Sequence, residues 1–249
     1  MTTRASERWE RELEDWLGPF LEGLPRRSQR RWAVAYLKGL LLPGGRKSVE
    51  PLAERVAPGE VQQLHHFVST SPWDTAPLER ALARWADRLL GGPEATLVVD
   101  DLFVAKQGGH SVGVARQACD AAGRPANGQA LVALTLCRGE AAVPVGLRLY
   151  LPEAWCADAA RRREAGVPDG LGYRPRWRIA LDELDPRLAA GLRVGRVVAP
   201  AAYGGCAGFR RGLAERGLAC ALEAPPAAEP AAVDGALAAG PAAPRRSGT

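Results

Sequence analysis

Apolar residues recur every three or four positions through the first ninety residues, which is the spacing of amphipathic helices. The apolar stripe of the first segment is formed by Trp9, Leu13, Trp16, Leu17 and Phe20. Pro19 and Gly23 mark its end, and a second helix is predicted from about Pro25 to the helix-breaking sequence Pro43-Gly44-Gly45. Further helices are predicted over about 48–56, 59–69 and 75–90.

The pattern changes after Gly91-Gly92-Pro93, where short runs rich in β-branched residues begin. Strands are predicted over about 95–100, 129–137, 142–150 and 194–198, with a hairpin turn at Arg138-Gly139-Glu140. The first of these strands is expected to end in two acids, Asp100 and Asp101. An Arg-rich helix is predicted over 207–217 after a polar stretch with helical potential. This order predicts an α/β (α+β) fold with a mixed sheet.

Three parts are predicted along the chain. A helical N-terminal region covers 1–92, an α/β domain covers 93–222, and residues 223–249 form a tail rich in alanine and proline. Because that tail has few large apolar residues to offset the entropy of ordering, it is expected to be disordered.

Composition narrows the cellular setting. No run of eighteen apolar residues occurs, and the charged N-terminus does not resemble a secretory signal, so we predict a cytoplasmic protein without membrane contact. The cysteines are odd in number, lack a CxxC pair and are expected to be free thiols. They are Cys119, Cys137, Cys156, Cys206 and Cys220.

Positive charge is concentrated near the N-terminus. Between Leu24 and Lys47 no acid occurs, and the basic residues there are Arg26, Arg27, Arg30, Arg31, Lys38, Arg46 and Lys47. Such a stretch can follow the phosphates of double-stranded DNA, and Arg26, Arg27, Arg30, Arg31 and Lys47 are candidate contacts. The alternative is a solvated helix face beside a core stripe.

A series of short phrases, in order, resembles the IS701-type DDE transposases. They are Tyr36-Leu-Lys-Gly-Leu40, Arg46-Lys-Ser48, Gln63-Leu-His-His-Phe67, Ser71-Pro-Trp-Asp74, Val98-Val-Asp-Asp101, KQGGHSVGVARQ over 106–117, GLRLYLPEAW over 146–155, Ala165-Gly-Val-Pro168, Tyr203-Gly204 and Leu213-Ala-Glu-Arg-Gly217. Each phrase is weak alone, but their order across about 30–220 makes the resemblance specific.

The resemblance implies an RNase H-like catalytic domain that binds DNA and holds two Mg²⁺ ions between three acids. The first acid corresponds to Asp101, with Asp100 as the near alternative, although Leu102-Phe103-Val104 replaces the family's Thr-Gly-Phe. Both are candidate catalytic and metal-binding residues; a helix cap or solvated turn is the simpler interpretation. The resemblance also suggests a role near DNA for Lys106, Arg116 and Gln117, which could equally be ordinary surface residues.

The other acids of the family pattern are missing from their expected places. The second should precede Tyr203-Gly204, where this chain has Pro200 and Ala201, and no Asp or Glu occurs between Asp185 and Glu215. The third would lie beyond residue 222, where the tail begins. We therefore predict a truncated, degenerate transposase that binds DNA without cutting it, as a homo-oligomer or in association with an intact transposase. Two alternatives stay open: a transcriptional regulator built on the same scaffold, and non-nucleic-acid chemistry with Asp100 or Asp101 as general base.

Overall fold

The N-terminal part is helical, as its periodicity predicts. The computed structural model describes residues 3–117 and 124–223, so Cys119 and most of the predicted tail lie outside the described residues. The first helices are α1 (Thr3–Leu21), α2 (Arg27–Leu41), α3 (Val49–Val56), α4 (Val61–Ser69) and α5 (Ala76–Leu90). Helices α2 to α4 enclose a small core of their own, formed by Trp32, Leu52, Ala53, Ala57, Leu64 and Phe67.

A mixed sheet follows the helices. Its strands are β1 (Gly92–Ala105), β2 (Ala115–Gln117), β3 (Ala126–Arg138), β4 (Ala141–Leu149), β5 (Val194–Ala199) and β6 (Cys220–Leu222). Strand β3 pairs antiparallel with β1, β2 and β4, whereas β5 lies parallel to β1 and to β6. The remaining helices are α6 (Glu153–Ala157), α7 (Ala159–Glu164), α8 (Arg176–Ala189), α9 (Ala201–Gly204) and α10 (Ala207–Glu215). This architecture confirms the predicted mixed α/β class and agrees with an RNase H-like fold.

The first strand is longer than predicted, and its acids do not stand at its end. Strand β1 continues four residues past Asp101 because β3 is long enough to pair with all of them, down to Ala105 opposite Gly128. The predicted hairpin between β3 and β4 is confirmed, with Gly139 in the left-handed conformation at φ 58°. Strands β2 and β6 were not predicted, since three residues are too short for a periodicity signal.

One face of the sheet carries the main core. Helices α5, α8 and α10 pack there on alternate strand residues, which include Leu97, Val99, Val132, Leu134, Leu136 and Val197. Ala86 and Leu90 of α5 belong to this same core, although α5 precedes the predicted boundary at residue 92. That boundary stays a prediction. In the part of the chain that the structure describes, no helix is long and apolar enough to cross a membrane.

Four of the five cysteines lie in the described part of the chain. Cys137, Cys156, Cys206 and Cys220 are all free thiols, as their spacing suggests.

Candidate functional site

The two acids of β1 lie in the middle of the sheet on opposite faces. Asp100 is paired with Ala133 and is exposed on the face opposite the main core. Asp101 follows the buried Val99 on the core face, where its side chain is 22% exposed. Because successive side chains of a strand alternate between faces, the two carboxylates cannot bind one ion together.

Both oxygens of the Asp101 carboxylate accept hydrogen bonds from within the protein. Oδ2 accepts from Nη1 of Arg176 at 2.6 Å, and Oδ1 accepts from the hydroxyl of Tyr203 at 2.7 Å. Arg176 is the first residue of α8, and its guanidinium also lies 4.7 Å from the centre of the Tyr150 ring. Gln117 accepts from Nη2 of Arg176 at 3.3 Å. The acid that the sequence singled out is thus the centre of a closed network.

Tyr203 is placed by the turn that ends β5. Pro200 caps the short helix α9, and the chain then turns Tyr203 into the core, where it is 2% exposed and packs against Phe209. Burial raises the pKa of Tyr203 far above its ordinary value, and the neighbouring Asp101 carboxylate raises it further. The phenol therefore stays protonated, and its hydroxyl donates a hydrogen bond to Asp101.

A cavity of about 310 Å³ opens beside Asp101. Its aromatic wall includes Tyr150 and Tyr173, whose rings meet edge to face at 6.4 Å. Burial, followed by the hydrogen bond with Tyr173, raises the pKa of Tyr150 to about 12. Hydroxyls and one arginine, rather than further acids, surround the Asp101 side of this cavity.

The position of the expected second acid is visible in the register of β1 and β5. Val98 lies opposite Val198, so Pro200 stands two residues further along, level with Asp100. Neither Pro200 nor Ala201 has a side chain that can bind a metal. Within residues 3–117 and 124–223 no three His, Cys, Asp or Glu side chains come together as metal ligands. The residues present do not fit a two-ion Mg²⁺ site, which requires several oxygen ligands around each ion.

The predicted DNA-binding residues near the N-terminus are partly engaged within the protein. Arg26 and Arg27 are exposed at the start of α2. Arg30 donates to the carbonyl of Leu24 at 2.8 Å, and Arg31 pairs with Glu60. Lys47 donates to carbonyls at the end of α2. Of the five candidates in this stretch, Arg26 and Arg27 therefore offer the most accessible positive charge.

The three DNA-binding candidates that follow β1 differ in their exposure to solvent. Arg116 is exposed and Lys106 is half-buried, and both flank the loop between β1 and β2. Gln117 is buried, and its amide group donates to the carbonyls of Gly113 and Gly128 at 3.3 and 3.0 Å. In this structure Gln117 positions Arg176 and supports the loop rather than facing solvent.

Neither the importance of Arg176 nor a role for Tyr203 could be predicted from the sequence pattern. Tyr203 was visible only as half of the Tyr203-Gly204 phrase, and nothing in the local pattern distinguishes Arg176 from its neighbours Arg174 and Arg178. The contact of Arg176 with Asp101 spans 75 residues of sequence, which no periodicity can reveal.

The mixed sheet with β1 at its centre, an acid on that strand and β5 parallel beside it has the architecture of an RNase H-like α/β protein. The family model of the DDE superfamily endonucleases matches residues 19–249, and the chain belongs to that family. It is 27% identical over 159 residues to a probable transposase for insertion sequence element IS701 from Microchaete diplosiphon. The match covers 64% of this chain and 39% of that relative, so the chain corresponds to less than half of the relative's length.

Proposed function

We propose that this protein is an IS701-type transposase relative that binds duplex DNA and does not cut it with the site described. The observation that carries the proposal is the state of Asp101, whose two oxygens are engaged by Arg176 and Tyr203. Pro200, at the end of β5, contributes no second ligand beside it.

The positive charge of Arg176 supports this interpretation. A guanidinium within 2.6 Å of the carboxylate neutralises the charge that would otherwise attract a divalent cation. A cation would have to displace that arginine, and after doing so it would find only one protein carboxylate. The proposed DNA binding therefore does not require magnesium at Asp101.

DNA binding is supported by the family relationship and by the exposed arginines at the start of α2. Lys and Arg side chains that neutralise phosphates release counterions, which makes the affinity fall steeply with salt. No observation favours the regulator or the general-base alternative over this interpretation, and both stay predictions.

The experiment is fluorescence anisotropy on a labelled duplex over a salt series. We expect salt-dependent binding, and the double substitution Arg26→Ala with Arg27→Ala should make the negative slope of log K against log salt shallower by about 2. The matched control removes Arg84 and Arg88, two exposed arginines of α5, and should change the steepness of that slope less. Absence of binding by the unaltered chain at low salt would refute DNA binding. An equal loss in both double variants would refute the α2 contact.

A further inference from the structure

The loop between β1 and β2 is held by its carbonyl groups. This loop, residues 106–113 with the sequence KQGGHSVG, is called the glycine loop below. Side chains from four other segments donate to its carbonyls or to that of the adjoining Val114. They are Asn127 to Lys106 and Gly108, Arg161 to Gly109, Gln129 to Val112, Gln117 to Gly113, and Trp155 to Val114, at 2.6–3.3 Å.

Unlike its carbonyls, most amide groups of the glycine loop have no hydrogen-bond partner among the described residues. Lys106 N–H donates to Asn127 and Val114 N–H donates to Ser111, but the amides from Gln107 to Gly113 have no acceptor among the described residues. Residues 107–111 are exposed. Because most of the loop carbonyls accept hydrogen bonds from within the protein, the amides of the exposed residues 107–111 are the backbone groups left available to an external acceptor, and such amides can bind an anion.

Side-chain charge reinforces this polarity. Lys106 and Arg116 flank the glycine loop, and no acid is paired with either in the described part of the chain. Arg161, which anchors Gly109, stacks 3.7 Å above the Trp155 ring. Two acids, Asp158 and Glu164, border the neighbouring cavity on the α6–α7 side, and the Asp158 carboxylate caps α7 by accepting from the Arg161 amide at 2.9 Å.

Two of the glycines have no explanation within the protein. A Cβ atom added at Gly108 or Gly109 would meet nothing within 4 Å, and neither has a left-handed backbone. Gly113 differs, because its φ is 76° and an added Cβ would lie 3.0 Å from the Tyr150 carbonyl. Glycine at 108 and 109 is therefore suited to the close approach of an external group to the backbone.

We propose that the glycine loop is a phosphate-binding loop that receives a phosphodiester of the DNA backbone on its free amides. Lys106 and Arg116 supply the cationic flanks. This proposal rests on the proposed DNA binding and names where part of it occurs. Gln117 joins the loop to the acid site, since its amide nitrogen holds Gly113 while its oxygen holds Arg176 beside Asp101.

The test replaces Gly108 and Gly109 by alanine in the full chain. Because the added methyl groups meet open space, the circular dichroism spectrum and thermal midpoint should not fall. The methyl groups would keep a phosphate away from the amides, and duplex affinity should decrease about ten-fold or more. The matched control, Gly170→Ala with Gly172→Ala, also adds methyl groups in open space and should bind DNA as the unaltered chain does.

A second measurement separates failure of the loop from failure of DNA binding. Inorganic phosphate titrated into the ¹⁵N-labelled chain should shift the amide resonances of Gly108 and Gly109, and leave those of Gly170 and Gly172 in place. If the chain binds DNA and the Gly108/Gly109 variant binds equally well, the loop proposal is wrong while the proposed function stands. If the chain binds no DNA, the proposed function fails, and unshifted Gly108 and Gly109 resonances would then refute the phosphate site as well.

Discussion

Replacing Arg187 by methionine should lower the free energy of unfolding by about 3–5 kcal/mol, the largest single effect that we expect for a charged residue here. The Arg187 side chain is 3% exposed. Its guanidinium donates to the Val145 carbonyl at 3.0 Å and lies 3.1 Å from the Glu183 carboxylate and 2.8 Å from that of Glu79. Removal would leave a buried carbonyl and a buried acid with fewer partners.

The reason for this large effect is that Arg187 joins three elements. Glu79 belongs to α5, Val145 to β4 and Glu183 to α8, and Arg148 joins the same network from β4. Urea denaturation followed by tryptophan fluorescence would measure the loss.

The control for this prediction is Arg193→Met. Arg193 pairs with Asp87 but is 65% exposed, and its loss should cost at most about 1 kcal/mol. Equal, small effects of the two substitutions would show that the network contributes no more than a surface pair.

The stability of the protein should decline above about pH 10, and Tyr203→Phe should reduce that decline. The pKa of Tyr203 is raised in the folded state by burial and by Asp101. In the unfolded chain this phenol ionises near pH 10, whereas in the folded protein it stays protonated. The folded state then binds more protons, so the free energy of unfolding falls as pH rises, by about 1.4 kcal/mol per pH unit for this residue.

Tyr203→Phe should also lower the free energy of unfolding at neutral pH. Loss of the 2.7 Å hydrogen bond to Asp101 should lower stability by about 1–3 kcal/mol because a charged acceptor is involved. Urea midpoints between pH 7 and 11 would give both quantities. Phe209→Leu is the matched control, since it disturbs the packing against the Tyr203 ring without removing a phenol. If Tyr203→Phe and Phe209→Leu lose stability equally with pH, the titration of Tyr203 is not the cause.

The sequence predicted the parts of the fold that repeat. Helix α2 ends at Leu41, just before Pro43-Gly44-Gly45, because proline and two glycines cannot continue the helical hydrogen bonds. The β3–β4 hairpin was predicted for a similar local reason. By contrast, the length of β1 depended on its pairing with β3, and β6 forms by pairing with β5, so neither could be predicted from its own residues.

The candidate site was predicted only in part, and for a physical reason. Asp101 and the apolar residues Pro200 and Ala201 could be found along the chain. What holds Asp101 could not, because Arg176 and Tyr203 reach it from separate elements through the packing of α8 and α9 on the sheet. Gln117 is buried because of its register in β2, opposite Ala126. A strand of three residues is too short for its register to be predicted from the sequence.

A nicking assay on supercoiled plasmid decides whether the protein binds DNA without cutting it. Supercoiled plasmid would be incubated with the full chain and Mg²⁺ or Mn²⁺, at protein concentrations where anisotropy shows saturated binding. An Asp101→Asn variant would set the background. We expect bound plasmid that stays supercoiled, with no more nicked circle than the Asp101→Asn variant produces. Metal-dependent nicking that disappears in Asp101→Asn would contradict this expectation, since Asp101 would then act in a site that Arg176 does not close.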